Sequence, residues 1–405
     1  MGIDLIYKMP TLLQINVTAN WGSTGKIAEQ IGQCAIKNGW TSYIAYRWNH
    51  NSSMSKLIRV SGKYGKYFHY LGNFLLDKEG LYSSKDTKQL ITRIKEIKPD
   101  VIHLHNIHDH WLNYKLLFEY LNQTDIKIVW TFHDCWSFTG HCFHFVTKNC
   151  ELWKTQCHDC PLQHEYPKTL VDRSTKNFEL KKKMFGGNKN LSIVACSEWL
   201  GNFVKDSFLK DKPLTIIHNG VDLKVFRPTL PKKSFEDGKF RILAVSNVWN
   251  KEKGIDDIYK LREVLSDDYQ ITIVGLSEKQ VKTLPSGIIG IQRTQNVQEL
   301  VNLYSESDVL VNPTYADTFP TVNLEALACG TPIITYRTGG SPEAIDEKTG
   351  VIVEQGDIKS LTEALRKMRM SPFSPDECRK RAVKYFMNDK CFEKYIALYS
   401  KLIEP

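Results

Sequence analysis

The chain has 405 residues, of which 42% are hydrophobic and 24% charged, and its formal net charge is +9. This length and composition predict a globular protein of two or three domains. The sequence shows neither a signal-peptide pattern nor an apolar run of about 18 residues, which predicts a cytoplasmic protein. The mild, spread-out positive charge is compatible with small anionic ligands, an acidic membrane surface or nucleic acid.

A glycine-containing turn follows the first predicted strand. The apolar run 12–17 is typical of a buried strand in a parallel sheet, and a helical pattern begins at Ile27. In the segment 20–26 between them, glycine allows the backbone to approach a phosphate closely. We expect Gly22 rather than Gly25 to border such a ligand.

Residues 59–79 are rich in basic and aromatic side chains. Such a stretch can lie on a membrane surface, with its rings in the interface and its lysines beside lipid phosphates. It can equally form a helix that packs on the core and leaves its lysines in water. Both interpretations stay open, and the side chains concerned are Lys63, Tyr64, Lys66, Tyr67, Phe68, Tyr70, Phe74 and Lys78.

Histidines are concentrated around the strand predicted at Asp100–His105. His103 and His105 point to one face of this strand, and His108 and His110 follow in the loop. A metal site is one interpretation, but nothing directs the loop pair toward the strand pair. We favour neutral histidines that satisfy hydrogen bonds.

A histidine and an aspartate follow the next buried strand, Lys127–Phe132. Catalytic residues gather at the carboxyl ends of parallel strands, so His133 and Asp134 are candidate site residues. Asp134 could orient His133, contact a ligand or cap the turn that follows, and these alternatives stay open.

Cysteines cluster in the segment 140–167, which lacks regular periodicity. The spacing C-x2-C in this cluster is typical of a zinc knuckle in a reducing compartment, and unconnected free cysteines are the alternative. A knuckle with positive charge would also fit a nucleic-acid-binding module, but the basic residues do not surround the cysteines. The candidate zinc ligands are Cys142, Cys150, Cys157 and Cys160.

The segment 315–332 has the pattern of a loop, a helix and a stop. Pro320 suits the first helical position, and Gly330 and Pro332 end the helix. The unpaired backbone N–H groups and the positive dipole at the helix start favour a bound phosphate.

Two carboxylates accompany this helix start. Asp317 lies in the preceding loop, and Glu325 shares a helix face with Thr321. Carboxylates accept hydrogen bonds from hydroxyl groups while the amides hold phosphates. The arrangement therefore suits a sugar nucleotide.

This segment resembles the E-x7-E signature of the family 4 retaining glycosyltransferases, which have the GT-B fold. Glu325 matches the second glutamate, whereas Asp317 departs from the first. The segment 338–343 resembles the family's next loop, and the family carries a histidine at the position of His133, beside the reacting sugar. The resemblance covers nearly the whole chain and is strongest in residues 214–355.

The segment 246–254 resembles the family's phosphate loop with its R-x4-K pair. Lys253 matches the lysine, which would bind a diphosphate as a point charge. Val248 stands at the arginine position, and this leaves Lys251 or Arg293 as the expected substitute.

The resemblance implies the domain organisation, and strands that alternate with helices support it. We expect an α/β protein with two doubly wound Rossmann-like domains that face a cleft. Residues 1–212 would form the acceptor-side domain, with the cysteine-rich insertion 140–167. Residues 213–385 would bind the nucleotide sugar, and the helix in 386–405 would cross back to the first domain.

The resemblance also implies transfer of a sugar, with retention, from a nucleotide-diphosphate sugar to a saccharide or lipid-linked acceptor. We expect a role in exopolysaccharide, capsule or colanic acid-type biosynthesis at the inner face of the membrane, without a cofactor for catalysis and without nucleic acid. A nucleotide-sugar epimerase of the same architecture is the alternative. The expected catalytic residues are His133, Asp134, Asp317 and Glu325, and the expected donor-binding residues are Gly22, Lys251, Lys253, Arg293, Phe319, Pro320, Thr321, Val322 and Glu325.

Overall fold

The computed structural model describes residues 9–60, 65–229 and 235–404. The chain divides into two compact units. One contains the residues up to Ile217 together with those from Phe392 onward, and the other runs from His218 to Cys391. These boundaries fall a few residues after the predicted ones, because the strand at 214–216 pairs with the first sheet.

The first unit is built on a sheet of seven parallel strands in the order β3-β2-β1-β4-β5-β6-β7. Each residue of β1, β4 and β6 is buried, as expected for strands that are covered on both faces. The strands are β1 (Thr11–Ile15), β2 (Thr41–Tyr46), β3 (Lys56–Arg59), β4 (Val101–Leu104), β5 (Lys127–Phe132), β6 (Leu191–Ala195) and β7 (Leu214–Ile216).

Helices connect these strands. The first begins at Gly22, which has φ +65°, and thus earlier than the predicted start at Ile27. A Cβ on Gly25 would lie 2.6 Å from Thr18 Oγ1, so glycine permits this helix start to pack on the loop after β1. The helices are α1 (Gly22–Lys37), α2 (Gly65–Leu76), α3 (Ser84–Ile97), α4 (Tyr114–Leu121), α5 (Ser174–Lys181) and α6 (Glu198–Asp206).

The second unit contains six parallel strands in the order β10-β9-β8-β11-β12-β13. The strands are β8 (Phe240–Val245), β9 (Tyr269–Val274), β10 (Ile288–Ile291), β11 (Val309–Asn312), β12 (Ile333–Tyr336) and β13 (Gly350–Val353). The helices are α7 (Ile255–Val264), α8 (Glu278–Lys282), α9 (Val297–Glu306), α10 (Thr321–Ala328), α11 (Ile358–Met370) and α12 (Pro375–Tyr385). The two parallel sheets with their helices confirm the predicted α/β fold.

The last helix, α13 (Asn388–Ile403), belongs to the first unit from Phe392 onward. Two of its buried tyrosines contact the first sheet. Tyr399 Oη lies 2.6 Å from His103 Nδ1 in β4, and Thr131 Oγ1 in β5 donates to Tyr395 Oη at 3.1 Å. Within the residues that the structure describes, no helix is long and apolar enough to cross a bilayer.

Candidate active site

Helix α10 begins at Thr321, and Pro320 is its N-cap with φ −69° and ψ 120°. Pro320 therefore lies one position before the predicted one. Among the described residues, no side chain caps this helix start and no acidic residue lies in its first turn. The start of α10 thus keeps backbone N–H groups that suit an anion.

Lys253 and Asp317 meet beside this helix start. Lys253 Nζ lies 2.7 Å from Asp317 Oδ2 and donates to the carbonyl oxygen of Ala316 at 3.3 Å. The Asn250 side chain accepts from the N–H of Lys253, and Asp317 Oδ1 accepts from the N–H of Phe319 at 3.2 Å. The loop after β8 and the loop after β11 therefore converge, and they bring two predicted site residues into direct contact.

The loop after β12 supports Asp317 from the other side. A Cβ on Gly339, whose φ is +54°, would lie 1.6 Å from the Asp317 carbonyl oxygen. The N–H of Gly340 also donates to the Thr318 carbonyl oxygen at 3.1 Å. Only glycine at position 339 allows the chain to approach the Asp317 carbonyl oxygen this closely. The Gly-Gly pair in the segment 338–343 thus helps to fix the loop that carries Asp317.

Glu325 is positioned by a residue that the sequence analysis did not identify. Tyr304 of α9, fully buried, donates its hydroxyl to Glu325 Oε2 at 2.9 Å. Burial and the neighbouring Glu325 carboxylate raise the pKa of Tyr304, so the phenol stays protonated and keeps donating. In the sequence Tyr304 belongs to the apolar pattern of a helix, which gives no signal for this contact.

His218 is a second residue that sequence reasoning missed. Its Nε2 lies 2.9 Å from Glu343 Oε2, and its ring lies 4.8 Å from the ring of Phe319. Phe319 is itself buried, so its expected contact with a donor is limited to its backbone. Thr321 and Val322 are half-buried at the helix start.

The two expected substitutes for the family arginine have exposed side chains. Lys251 is exposed at the start of the turn before α7, and Arg293 is exposed in the loop after β10. Among the described residues, neither side chain forms a hydrogen bond or an ion pair. The structure therefore brings Lys253, Asp317 and the start of α10 together, and the role of Lys251 or Arg293 as the substitute stays a prediction.

In the first unit, His133 belongs to a chain of buried hydrogen bonds. Gln14 Nε2 donates to Ala28, which directs Gln14 Oε1 toward His105 Nε2 at 3.1 Å. His105 Nδ1 is then an acceptor for His133 Nε2 at 3.2 Å. Burial lowers the pKa of His133 to about 4, so its imidazole is neutral near neutral pH.

Asp134 pairs with His108 rather than with His133. His108 Nε2 lies 2.8 Å from Asp134 Oδ2, and the N–H of Trp136 donates to Asp134 Oδ1 at 2.9 Å. Burial by itself would raise the pKa of Asp134, but His108 and these hydrogen bonds bring it down to about 2. Asp134 therefore fixes the loop after β4 and the turn after β5.

The histidines of the β4 region do not form one group. His110 pairs with the buried Glu79, next to His69, and the ligating atoms of these three residues lie within 4.8 Å of one another. The N–H of Gly80 donates to His69 Nε2 at 2.9 Å, so this nitrogen of His69 already has a hydrogen bond within the protein. His110 and Asp109 have φ of +61° and +77°, and this backbone conformation turns His110 toward Glu79.

The four candidate zinc ligands lie near one another in the first unit. Cys142 and Cys157 are buried, and Cys150 and Cys160 are half-buried. Cys157 Sγ accepts from the N–H of Gly140 at 3.2 Å. A hydrogen bond between the thiols of Cys142 and Cys160 lowers the pKa of Cys160 to about 7 and raises that of Cys142. The zinc site stays a prediction.

Gly22 occupies the turn between β1 and α1. A Cβ on Gly22 would meet no described atom within 4 Å, and the neighbouring Trp21 is exposed. The backbone is accordingly open to a ligand at Gly22, whereas Gly25 is closely packed.

Comparison with known proteins gives two family matches and a relative that is matched over its full length. Residues 59–225 match the model of Glycosyltransferase Family 4, and residues 226–385 match that of Glycosyl transferases group 1. A protein named for colanic acid biosynthesis, the glycosyl transferase WcaC of Escherichia coli, is 23% identical over 96% of this chain and 100% of its own length.

Two solved structures share the fold over nearly their whole length. Sucrose-phosphate synthase from Thermosynechococcus elongatus has a TM-score of 0.75 and 17% identity, and the match covers 97% of this chain and 99% of that one. HepE of Anabaena, solved in complex with UDP-glucose, has a TM-score of 0.63 and 12% identity, with 96% of this chain and 99% of that one covered. The chain therefore belongs to the glycosyltransferases, with a family 4 segment followed by a group 1 segment on the GT-B fold.

Proposed function

We propose that this glycosyltransferase moves a sugar, with retention, from a nucleotide-diphosphate sugar to a saccharide or lipid-linked saccharide in surface polysaccharide biosynthesis. The name of the colanic acid relative supports the polysaccharide role, and the UDP-glucose complex of HepE supports a nucleotide-sugar donor. The two glycosyltransferase family matches favour sugar transfer over the alternative of a nucleic-acid-binding module.

One observation carries the proposal: the contact between Lys253 and Asp317 at the start of α10. It joins a cation, a carboxylate and an uncapped helix start in one place within the second unit. In the proposed site, Lys253 and the N–H groups of Thr321 and Val322 hold the diphosphate. Asp317, which pairs with Lys253 in this structure, accepts hydrogen bonds from the sugar.

The same groups would assist bond cleavage. The diphosphate gains negative charge as its bond to the anomeric carbon of the sugar breaks. Fixed N–H dipoles and Lys253 therefore stabilise the transition state more than the ground state. These protein cations and dipoles make a catalytic metal unnecessary in the proposed mechanism. Glu325, oriented by Tyr304, would bind the ribose, which does not change during the reaction.

For the first unit we propose that His133 binds a sugar hydroxyl in its neutral form. The hydrogen-bond chain through His105 and Gln14 fixes its tautomer, and burial keeps it uncharged. Asp134 pairs with His108 and would position the loop after β4 beside the site. Its contact with an acceptor remains part of the proposal.

We also propose that residues 59–79 contact a membrane surface. Helix α2 leaves Tyr67, Phe68 and Leu71 at least half exposed, which is unusual for a helix that only packs on a core. Lys63 and Tyr64, which belong to the same prediction, lie outside the described residues. Exposed rings next to lysines suit an interface with anionic lipid.

The test is product analysis with a panel of nucleotide sugars and a saccharide acceptor. We expect transfer with one donor, slow hydrolysis without acceptor, and a loss of both in Lys253→Gln. The control Lys279→Gln changes an exposed lysine on α8 of the same unit and should leave the rates unchanged. Conversion of the donor to an epimer without transfer would instead identify an epimerase.

A further inference from the structure

The first unit contains a groove of about 580 Å³ that plays no part in the proposed transfer. It lies where the N-terminal ends of α3, α4 and α5 come together. We call it the basic groove, and its lining consists of Lys78, Leu81, Tyr82, Ser84, Asn113, Lys115, Leu116, Arg173, Lys176 and Leu180.

The lining of the basic groove carries four cations and no acidic side chain. Lys115 has an ion pair with Glu119 at 3.6 Å, and both side chains are about half exposed, so the pair contributes little. In the described part of the chain, Lys78, Arg173 and Lys176 form no ion pair. The groove therefore presents positive charge that the protein itself does not neutralise.

The acidic residue next to Lys78 in the chain is occupied elsewhere. Asp77 is fully buried, lies 2.7 Å from His141 Nδ1 and accepts from the backbone N–H of Arg173 at 2.9 Å. This contact fixes the backbone of Arg173 at the start of α5. It leaves the guanidinium group available to the groove.

One buried polar atom of the groove lining has no hydrogen-bond partner among the described residues. It is Nε of Arg173, at the start of α5. Buried polar atoms are nearly always satisfied, so such atoms indicate a partner outside the chain. A guanidinium with a free N–H matches the planar, bidentate recognition of phosphate.

The starts of α4 and α5 add to the positive charge around the basic groove. Neither α4 nor α5 has an acidic residue in its first turn, although the Asn113 side chain caps α4 and Asp172 Oδ1 accepts from the N–H of Ser174 at the start of α5. The remaining N–H groups and the dipoles of these helices favour an anion near Lys115 and Lys176. The apolar wall formed by Leu81, Leu116 and Leu180 leaves room for the uncharged part of a ligand.

We propose that the basic groove binds the phosphate or diphosphate group of a ligand other than the sugar donor. The shared chemistry is a phosphate with an apolar or ring-shaped neighbour. It could come from a free phosphorylated molecule or from the headgroup of an anionic lipid. The inference does not rest on the proposed function, because it uses residues of the first unit that have no part in donor binding.

The experiment compares three full-length proteins by calorimetric titration with pyrophosphate and by sedimentation with vesicles. Arg173→Gln combined with Lys176→Gln removes two cations from the groove. Lys182→Gln combined with Lys183→Gln removes two exposed cations from the turn that directly follows α5, outside the groove lining. Sedimentation with phosphatidylglycerol vesicles tests binding to an anionic lipid headgroup, and phosphatidylcholine vesicles are the neutral comparison.

We expect the groove variant to bind pyrophosphate roughly ten- to hundredfold more weakly at one of its sites, since charged hydrogen bonds are lost. The control variant should stay within about twofold of the natural protein. Lys253→Gln should weaken pyrophosphate binding at the start of α10 and leave binding in the groove unchanged, which separates the two sites. If the double variant unfolds, the single substitution Lys176→Glu at an exposed position repeats the test.

The vesicle arm identifies the source of the phosphate. Weaker pyrophosphate binding in the groove variant supports a free phosphorylated ligand. Normal pyrophosphate binding with a loss of sedimentation on phosphatidylglycerol only supports a lipid headgroup. Equal behaviour of the groove variant and the natural protein in both arms, or equal losses in the control variant, would overturn the proposal.

Discussion

At the scale of single residues, the contacts of Asp317 and Glu325 predict how substitutions at these two positions should change the kinetics. Asp317 holds Lys253 in this structure, and Tyr304 holds Glu325. The two carboxylates thus have different partners beside the same helix start. This difference predicts different kinetic effects for the two positions.

We expect Asp317→Ala to lower turnover more than donor affinity, because its contact would strengthen as the sugar flattens in the transition state. Glu325→Gln should mainly weaken donor binding, since its contact is to an unchanging part of the donor. Each loss should be roughly ten- to hundredfold. Donor affinity and single-turnover rates measure both, with the exposed Glu347→Gln as the control. Near-normal values in both folded variants would place the site elsewhere.

His133 gives a prediction for the pH dependence of stability. Burial lowers its pKa from 6.5 to about 4, so unfolding takes up a proton between these pH values. The stabilisation from neutral His133 is complete above about pH 6.5 and is lost as the pH falls toward 4. In His133→Asn the free energy of unfolding, measured in urea, should depend less steeply on pH in this range, by about one proton. The exposed His50→Asn is the control, and an unchanged slope in His133→Asn would contradict the prediction.

At the scale of elements, the segment 140–167 lacks helices and strands of ordinary length, so a metal would explain how it keeps its shape. If zinc is bound, protein purified without chelator should contain about one equivalent of it. Cys157→Ser should remove the zinc and lower the stability, whereas Cys378→Ser, a buried cysteine of the second unit, should keep it. Metal analysis that finds none in the natural protein would favour free thiols.

Helix α2 gives the second prediction at this scale. If residues 59–79 contact lipid, the protein should sediment with anionic vesicles at low salt and be released at high salt. Lys63→Gln with Lys66→Gln should weaken this binding, while Lys279→Gln with Lys282→Gln on α8 should not. Equal binding to neutral and anionic vesicles, or no binding to either kind, would contradict membrane contact by residues 59–79.

At the scale of the whole molecule, α13 joins the end of the chain to the first sheet. Tyr399 is fully buried and contacts His103. Tyr399→Ala should create a cavity and cost about 3–5 kcal/mol of stability, as for other large aromatic residues. Chemical unfolding measures this loss, with the exposed Lys401→Ala on the same helix as the control. Similar midpoints for the two variants would show that α13 contributes little to the first unit.

Much of the fold could be predicted from the sequence, because strand and helix periods are local. The runs at 12–17 and 127–132 become β1 and β5, and the glycine after α10 has φ +81° as its stop signal requires. The boundary between the units was less well predicted, because strand pairing and not local pattern assigns residues 214–216 to the first sheet. The start of α1 at Gly22 likewise depends on tertiary packing, because Gly25 lies against the loop after β1.

The sequence by itself determined the alternating α/β pattern, and it predicted a phosphate site at the helix start with Asp317 and Glu325, since each of these features is carried by residues close together in the chain. Only the tertiary structure decided which groups meet. It paired Asp134 with His108, gave Glu325 its partner Tyr304, and assembled the basic groove from three helix starts. The reason is physical: hydrogen bonds and charges act over a few ångströms in space, and folding brings together residues whose separation in the chain carries no signal.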